Sequence, residues 1–255
     1  MGNSSRREFI KAAALTGFAS PFADPVFSLK NNSLVYENKI IAADEKENYL
    51  ESIKQELVKQ WPHNRTINLV FHGHSVPSGY FKTPDVRTLQ AYPHLLLKAL
   101  KQAYPHAVIN TILTCIGGEH SQQGAARFKK EVLNHRPDVL FIDYALNDRR
   151  IGLDASSASW EFMIKTALKK NIKVILLTAT PDQKVDLNDK SSDLQKLSDQ
   201  ITGLAGKYKT GLVDSYAAFQ KIISAGGILS DHMSQVNHPN QKGHQLVADV
   251  IMKYF

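Results

Sequence analysis

The sequence predicts a single α/β domain in which helices cover both faces of a central parallel sheet, a three-layer α/β/α sandwich. Short apolar runs typical of strands alternate with amphipathic helical patterns from residue 49 to the end of the 255-residue chain. The run 138–143 is apolar without interruption between its two acids, as expected of a strand that is covered on both faces. No linker-like segment divides the chain, so we assign residues 32–255 to one domain.

The predicted elements follow in order from the hydrophobic periodicity. Five apolar runs predict strands at 67–70, 107–113, 138–143, 174–178 and 211–214. Apolar positions three or four residues apart predict helices at 49–61, 86–104, 121–135, 160–170, 194–208, 216–224 and 242–254, and Pro93 is expected to disturb the start of the second. Because helices separate the strands, each return to the sheet needs a crossover, and the strands should be parallel.

The N-terminus resembles a bacterial twin-arginine export signal. Arg6 and Arg7 precede Phe9 and a short apolar segment at 12–22, which is too brief to span a bilayer. We therefore expect residues 1–24 to be recognised by the twin-arginine export machinery and removed. The mature protein is then expected in the periplasm or outside the cell, with no stable membrane span.

Composition favours a globular protein over several other classes. Hydrophobic residues make up 43% of the chain and charged residues 22%, which are ordinary values for a folded domain. The formal net charge is +7, but the basic residues are spread among acids, so nucleic-acid binding is not indicated. The single cysteine, Cys115, cannot form an internal disulfide and is expected in the core.

Polar and glycine residues follow the first three predicted strands. Ser75 comes after the first strand, Gly118 after the second and Asn147 after the third. Ligands bind beyond the carboxyl ends of the strands in open parallel sheets. The three residues should therefore meet at one rim.

Together with one histidine, these residues could form an acyl-transfer site. A serine hydroxyl needs a base, and His238 lies in a polar turn just ahead of the last predicted helix. The main-chain N–H groups of Ser75 and Gly118 and the side-chain amide of Asn147 could hold the negative charge that develops on a carbonyl oxygen. Such a site needs no cofactor.

The four segments resemble the SGNH, or GDSL-type, hydrolase superfamily. Matched position by position, Ser75 corresponds to the nucleophile, Gly118 and Asn147 to the oxyanion donors and His238 to the base. The resemblance implies a flavodoxin-like fold and a carboxylic ester hydrolase without a cofactor. Together with the export signal, it suggests O-acetyl or other short acyl esters of carbohydrates as substrates, while lipid acyl esters, thioesters and aryl esters remain open.

Three positions depart from the family pattern. His74 stands where the first block usually has aspartate, and Ala145 stands where the third block usually has glycine. The aspartate expected three residues before His238 is replaced by Gln235. Asp231 could reach the imidazole around a turn, or Gln235 could orient the ring without charge. A catalytically inactive carbohydrate-binding relative is therefore an alternative.

A metal-dependent hydrolase is a second alternative. His72 and His74 form a His-x-His pair that would point both rings to one face of a strand, with Asp143 or Asp148 near. The two rings would have to share space with Ser75, so we predict no metal.

Three residues near these segments are candidates for substrate binding. Tyr80 and Tyr144 could form walls on which a sugar ring stacks, and Arg149 could face the cleft. The polar loop 181–191 after the fourth strand could shape the same pocket.

Overall fold

The computed structural model describes residues 48–255. The predicted export signal at 1–24 and the first part of the predicted domain, 32–47, lie outside the described residues.

Five parallel strands form the central sheet. They are β1 (Thr66–Gly73), β2 (Val108–Leu113), β3 (Val139–Asp143), β4 (Lys173–Leu177) and β5 (Gly211–Val213), in the order β2-β1-β3-β4-β5. In the pairing of β1 with β3, Gly73 lies opposite Asp143. The predicted parallel sheet is confirmed.

Helices cover the sheet and make it the middle layer of a three-layer sandwich, as predicted. The nine α-helices of the described part are Glu51–Leu57, Ser75–Ser78, Tyr92–Ala103, Ser121–Arg127, Ala145–Asp148, Gly152–Leu168, Asp193–Tyr208, Ser215–Ser224 and Gln241–Met252. The last helix packs against Tyr92–Ala103, whereas Gly152–Leu168 packs against Ser121–Arg127 and Asp193–Tyr208.

The core lies on both sides of the two central strands. Every residue of β3 is buried, and the rings of Phe71 and Phe141 stack with their centroids 4.3 Å apart. Burying a large apolar side chain stabilises a fold by about 1.5–3 kcal/mol. Covering both faces explains why β3 is apolar from Val139 to Ile142 instead of alternating.

Two helices begin elsewhere than predicted. The second predicted helix starts at Tyr92, after a 3₁₀ turn at Thr88–Gln90, and Pro93 lies in its first turn, where a missing N–H is harmless. Gly152–Leu168 begins eight residues before the predicted start at 160, in a serine-rich stretch. Polar Ser156 is tolerated there because its buried hydroxyl donates to Asp148.

The third predicted helix is irregular in its second half. Ser121–Arg127 is α-helical, Phe128–Val132 is a π-helical turn, and Leu133–His135 is a 3₁₀ turn. Within the described residues, no helix is both long enough and apolar enough to cross a membrane.

A small antiparallel pair that the sequence analysis missed precedes the last helix. β6 (Met233–Gln235) pairs with β7 (His238–Pro239), and Gln235 lies opposite His238. The side chain of Asn240 then caps the last helix by accepting the N–H groups of Lys242 and Gly243. The hairpin and the cap together fix the position of His238.

Candidate active site

Ser75 stands at the sharp turn between β1 and the short helix that it begins. A Cβ on Gly73 would lie only 2.5 Å from the main-chain oxygen of Asp143, so the close approach of β1 to β3 at this turn requires glycine. The short helix ends at Gly79, whose φ of +89° favours a residue without a side chain. Ser75 is 8% exposed and lies just beyond the carboxyl end of β1.

The structure brings Ser75 and His238 together from distant parts of the chain. Nε2 of His238 lies 2.8 Å from Oγ of Ser75, across a sequence separation of 163 residues. This is the spatial pairing that the sequence analysis required.

The other ring nitrogen of His238 contacts Gln235. Nε2 of Gln235 lies 2.5 Å from Nδ1 of His238, and Oε1 of Gln235 accepts the main-chain N–H of Thr83 at 3.3 Å. Asp231 is exposed on the 3₁₀ turn Leu229–His232. Of the two partners that the sequence left open, Gln235 is therefore the one in contact with Nδ1 of His238.

Burial keeps the His238 imidazole neutral. Burial, followed by the neighbouring imidazole of His74, lowers the pKa of His238 to about 4. Burial disfavours the charged form, so near neutral pH the ring is neutral and carries a hydrogen on only one of its two nitrogens.

The predicted oxyanion donors lie on two neighbouring segments, Gly118 on the loop after β2 and Asn147 in the short helix Ala145–Asp148. Gly118 has a φ of +78°, and its oxygen accepts a hydrogen bond from the Arg150 guanidinium. Nδ2 of Asn147 donates to the main-chain oxygen of Glu119 at 2.9 Å. The N–H of Ile116 donates to the Gly73 oxygen at 3.1 Å, which holds the loop that carries Gly118 beside the Ser75 turn.

Buried polar contacts of Glu119 stabilise the loop that carries Gly118. The Glu119 carboxylate is 6% exposed and accepts hydrogen bonds from Nε and Nη2 of Arg127, at 2.8 and 2.5 Å. The Tyr144 hydroxyl donates to the same carboxylate at 2.8 Å. Burial, followed by the negative charge of Glu119, raises the pKa of Tyr144 well above its usual range.

Tyr144 does not form a substrate wall as the sequence analysis predicted. Its side chain is completely buried, and its ring packs edge-on against His72. The residue directly follows β3, whose side chains are covered on both faces, so its ring enters the core instead of the cleft.

Tyr80, also predicted to line the substrate site, lies beside His238 and is accessible to solvent. Its ring is 6.4 Å from the His238 ring, between centroids, and the residue is 40% exposed. A Cβ on Gly117 would lie 3.1 Å from the Tyr80 ring, so the tyrosine stands between the Gly117 loop and His238.

Arg149 forms an ion pair within the protein. Its Nη1 lies 2.9 Å from the Asp182 carboxylate, and it lines a pocket together with Lys184 and Asp186 of the 181–191 loop. The same loop contacts the His238 hairpin, because Gln183 donates its N–H to the Val236 oxygen at 2.8 Å.

His72 and His74 do not form the expected common face. β1 ends at Gly73, so the alternation of a strand no longer applies to His74. Nε2 of His72 lies 3.2 Å from the Gly124 oxygen, whereas Nε2 of His74 lies 3.4 Å from Oδ1 of Asp143. Among residues 48–255, no group of three or more His, Cys, Asp or Glu side chains is arranged to hold a metal ion.

Sequence reasoning assigned no role to three residues that shape the site: Thr83, Glu119 and Arg127. Glu119 follows the glycine pair directly, and a carboxylate beside such a turn was a usable signal. The contacts of Glu119 with Arg127 and of Gln235 with Thr83 could not be predicted from the sequence. They join different loops and helices, and no repeating pattern in the sequence relates the paired positions.

Comparisons with known proteins identify the family of the chain. The model of the GDSL-like lipase/acylhydrolase family matches residues 71–246, more than half of the chain and all four predicted catalytic segments. The comparison with curated protein sequences gave no significant match.

Two solved structures illustrate the shared fold. Axe2, an acetylxylan esterase from Geobacillus stearothermophilus, is 18% identical with a TM-score of 0.64, over 77% of this chain and 95% of that chain. CEX, a two-domain esterase active on acetylated mannans that was co-crystallised with mannopentaose, is 23% identical with a TM-score of 0.65, over 80% of this chain and 52% of that chain. The resemblance to SGNH hydrolases is confirmed: the chain belongs to the GDSL-like lipase/acylhydrolase family and is a carboxylic ester hydrolase of the SGNH type.

Proposed function

We propose that this protein is a serine esterase that removes O-acetyl, or other short acyl, groups from carbohydrates through an acyl-enzyme on Ser75. The observation that carries the proposal is the 2.8 Å contact between Oγ of Ser75 and Nε2 of His238. A serine hydroxyl becomes an effective nucleophile when a positioned base takes its proton.

In the proposed cycle, Ser75 attacks the ester carbonyl carbon and His238 takes the hydroxyl proton. The oxyanion is held by the main-chain N–H groups of Ser75 and Gly118 and by the second amide hydrogen of Asn147. When the intermediate collapses, the protonated His238 gives its proton to the leaving alcohol. His238 then takes a proton from water, which attacks the acyl carbon. As the bond between the acyl carbon and Oγ breaks, His238 returns this proton to Ser75 and the carboxylic acid leaves.

Gln235, and not Asp231, is the residue that we propose orients His238 in this cycle. Its amide lies against Nδ1 of the ring, whereas Asp231 is exposed on the preceding turn. A neutral amide stabilises the imidazolium less than a carboxylate does, so turnover should be slower than in an enzyme with the usual aspartate.

The carbohydrate substrate is supported by the surroundings of the two residues and by the neighbours. The half-exposed ring of Tyr80 beside His238 offers a flat surface against which a pyranose can pack. Arg149, two residues after Asn147, is placed to contact polar groups of the same oligosaccharide. The two solved neighbours act on acetylated xylan and acetylated mannans.

We further propose that the protein is exported by the twin-arginine machinery to the periplasm or beyond, with residues 1–24 as its signal. Replacing Arg6 and Arg7 with lysine should leave the protein in the cytoplasm, and cell fractionation followed by immunoblotting tests this.

The central experiment is hydrolysis of p-nitrophenyl acetate by the purified protein. Ser75→Ala should reduce turnover to the background rate, while Ser78→Ala, which removes a hydroxyl one helical turn away, is the matched control. A serine-directed organophosphate should label Ser75, as located by peptide mass spectrometry. A chelator should have no effect, whereas loss of activity on chelation would favour the metal-dependent alternative.

Substrate class is tested by acetate release from acetylated xylan and acetylated mannan, compared with hydrolysis of long-chain acyl esters. Binding of these polymers without any turnover of ester would favour the inactive carbohydrate-binding alternative.

A further inference from the structure

The amide of Gln235 has a defined orientation. Its Oε1 accepts the main-chain N–H of Thr83 at 3.3 Å, and its Nε2 faces Nδ1 of His238. A main-chain N–H can only donate, so it selects the oxygen end of the amide. The NH₂ end is consequently left to face the imidazole.

This orientation decides which nitrogen of His238 carries the proton. An amide NH₂ group only donates, so Nδ1 of His238 must be the acceptor. The neutral ring then has its hydrogen on Nε2, which lies 2.8 Å from Oγ of Ser75. A ring in this form donates to the serine and cannot take its proton.

The inference rests on the proposed role of His238 as the base for Ser75. We propose that Thr83 and Gln235 are positioning residues that set the tautomer of His238. In the free enzyme they hold the Nε2–H form, and the reactive form arises when the Gln235 amide turns over and its oxygen accepts Nδ1–H. The turn moves one proton from Nε2 to Nδ1 through solvent and changes no net charge.

The side chain of Thr83 can stabilise the turned amide. Its hydroxyl oxygen lies 3.5 Å from Oε1 of Gln235, and a hydroxyl can accept as well as donate. After the turn, the Gln235 NH₂ group would face this hydroxyl and donate to it. Thr83 is therefore the partner of Gln235 in both orientations: its N–H and its hydroxyl donate to Oε1 in the first, and its hydroxyl accepts from the NH₂ group in the second.

The position of Thr83 connects this switch to the substrate side of the site. Tyr80 and Val86 pair as an antiparallel bridge at the base of the loop that carries Thr83. The ring of Tyr80 stands beside His238, in the proposed sugar-binding position. An ester that packs against Tyr80 therefore contacts the same loop that holds Gln235.

The tautomer can be measured directly by NMR of protein labelled with ¹⁵N in its histidine rings, using His238→Gln to assign the signals. The free wild-type enzyme at neutral pH should show His238 with the proton on Nε2. Gln235→Glu, which keeps the length of the side chain but only accepts, should show the proton on Nδ1. Gln235→Asp provides a second variant with the same expectation if the first does not fold.

The kinetic consequences follow the tautomer. Holding the histidine of a serine protease in the wrong tautomer costs about 10⁴ in kcat, so Gln235→Glu should raise kcat at least about tenfold. Thr83→Val, which loses the hydroxyl but keeps the main-chain N–H, should have a lower kcat than Thr83→Ser, with the free-enzyme tautomer unchanged.

Three results would overturn the inference: a wild-type His238 already protonated on Nδ1, the same tautomer in Gln235→Glu as in wild type, or equal kcat for the two Thr83 variants. None of them affects the proposed function if Ser75→Ala still abolishes turnover. Conversely, ester hydrolysis that survives Ser75→Ala would reject the proposed function, whatever the tautomer.

Discussion

Asn147 donates one of its two side-chain amide hydrogens to the main-chain oxygen of Glu119, at 2.9 Å. This bond fixes the amide next to the Gly118 loop and leaves the second hydrogen free for an oxyanion. A donor that is held in place before reaction stabilises the transition state without a cost of reorganisation.

Removing this donor should slow the chemical step. Asn147→Ala should lower kcat by about 10²–10³-fold, equivalent to about 2.7–4 kcal/mol, with a smaller change in KM. Steady-state kinetics on p-nitrophenyl acetate measure both. Asn134→Ala, at an exposed asparagine that bonds only within its own turn, is the matched control and should retain wild-type kcat. A kcat for Asn147→Ala within a factor of three of wild type would exclude it as an oxyanion donor.

The buried pair of Glu119 and Arg127 should matter for stability. Glu119→Ala leaves the Arg127 guanidinium without its buried partner, and the free energy of unfolding should fall by about 3–5 kcal/mol. Glu131→Ala removes the other, exposed carboxylate on the same arginine and should cost less than about 1 kcal/mol. Urea unfolding measures the free energy of unfolding of both variants. An equal loss of stability in the two would show that Glu119 contributes no more than Glu131.

The activity should depend on pH through His238. Burial lowers the pKa of this imidazole to about 4, so the neutral base persists at lower pH than for an exposed histidine. kcat/KM should stay level as pH falls from neutrality and should decline as pH passes through about 4. Circular dichroism at each pH establishes that the protein is still folded. An acid limb centred near the ordinary histidine pKa of about 6.5 would contradict this expectation.

Gly73 should tolerate no side chain. Gly73→Ala would place a Cβ 2.5 Å from the Asp143 oxygen and 2.9 Å from the Pro77 ring, so β1 or the Ser75 turn must shift. We expect a loss of about 1–3 kcal/mol in the free energy of unfolding and a lower kcat. Gly203→Ala, at an uncrowded position within the helix Asp193–Tyr208, should instead gain about 0.5–1 kcal/mol. Thermal and urea unfolding distinguish the two, and a neutral Gly73→Ala would show that the turn can relax.

The sheet was predictable because its signal is local. Each strand is a short apolar run, and the alternation with helices requires parallel pairing, so the position of Ser75, Gly118 and Asn147 at one rim followed from topology. The helix at Gly152–Leu168 was placed too late because its first turns are rich in serine. Their compatibility with a helix depends on Asp148, which accepts a bond from Ser156.

The finer geometry of the site was not predictable, because it depends on contacts across the fold. The sequence offered Asp231 and Gln235 as partners for His238, and only the hairpin of β6 and β7 places Gln235 opposite the histidine. The sequence indicated that Tyr144 lies near the site, but it did not indicate the direction of the side chain. The ring enters the core, and its hydroxyl donates to Glu119. Residues adjacent in sequence to catalytic segments can thus face away from the substrate.

The attachment of Gln183 to the hairpin of His238 links specificity and rate. Gln183 donates its N–H to the Val236 oxygen and its side-chain amide to the Gln235 oxygen, although it supplies no atom to the proposed chemistry. Lengthening or exchanging the loop after β4 to change the substrate should therefore also displace His238, the proposed base. Libraries that vary this loop should hold Gln183 constant and begin their diversity after it.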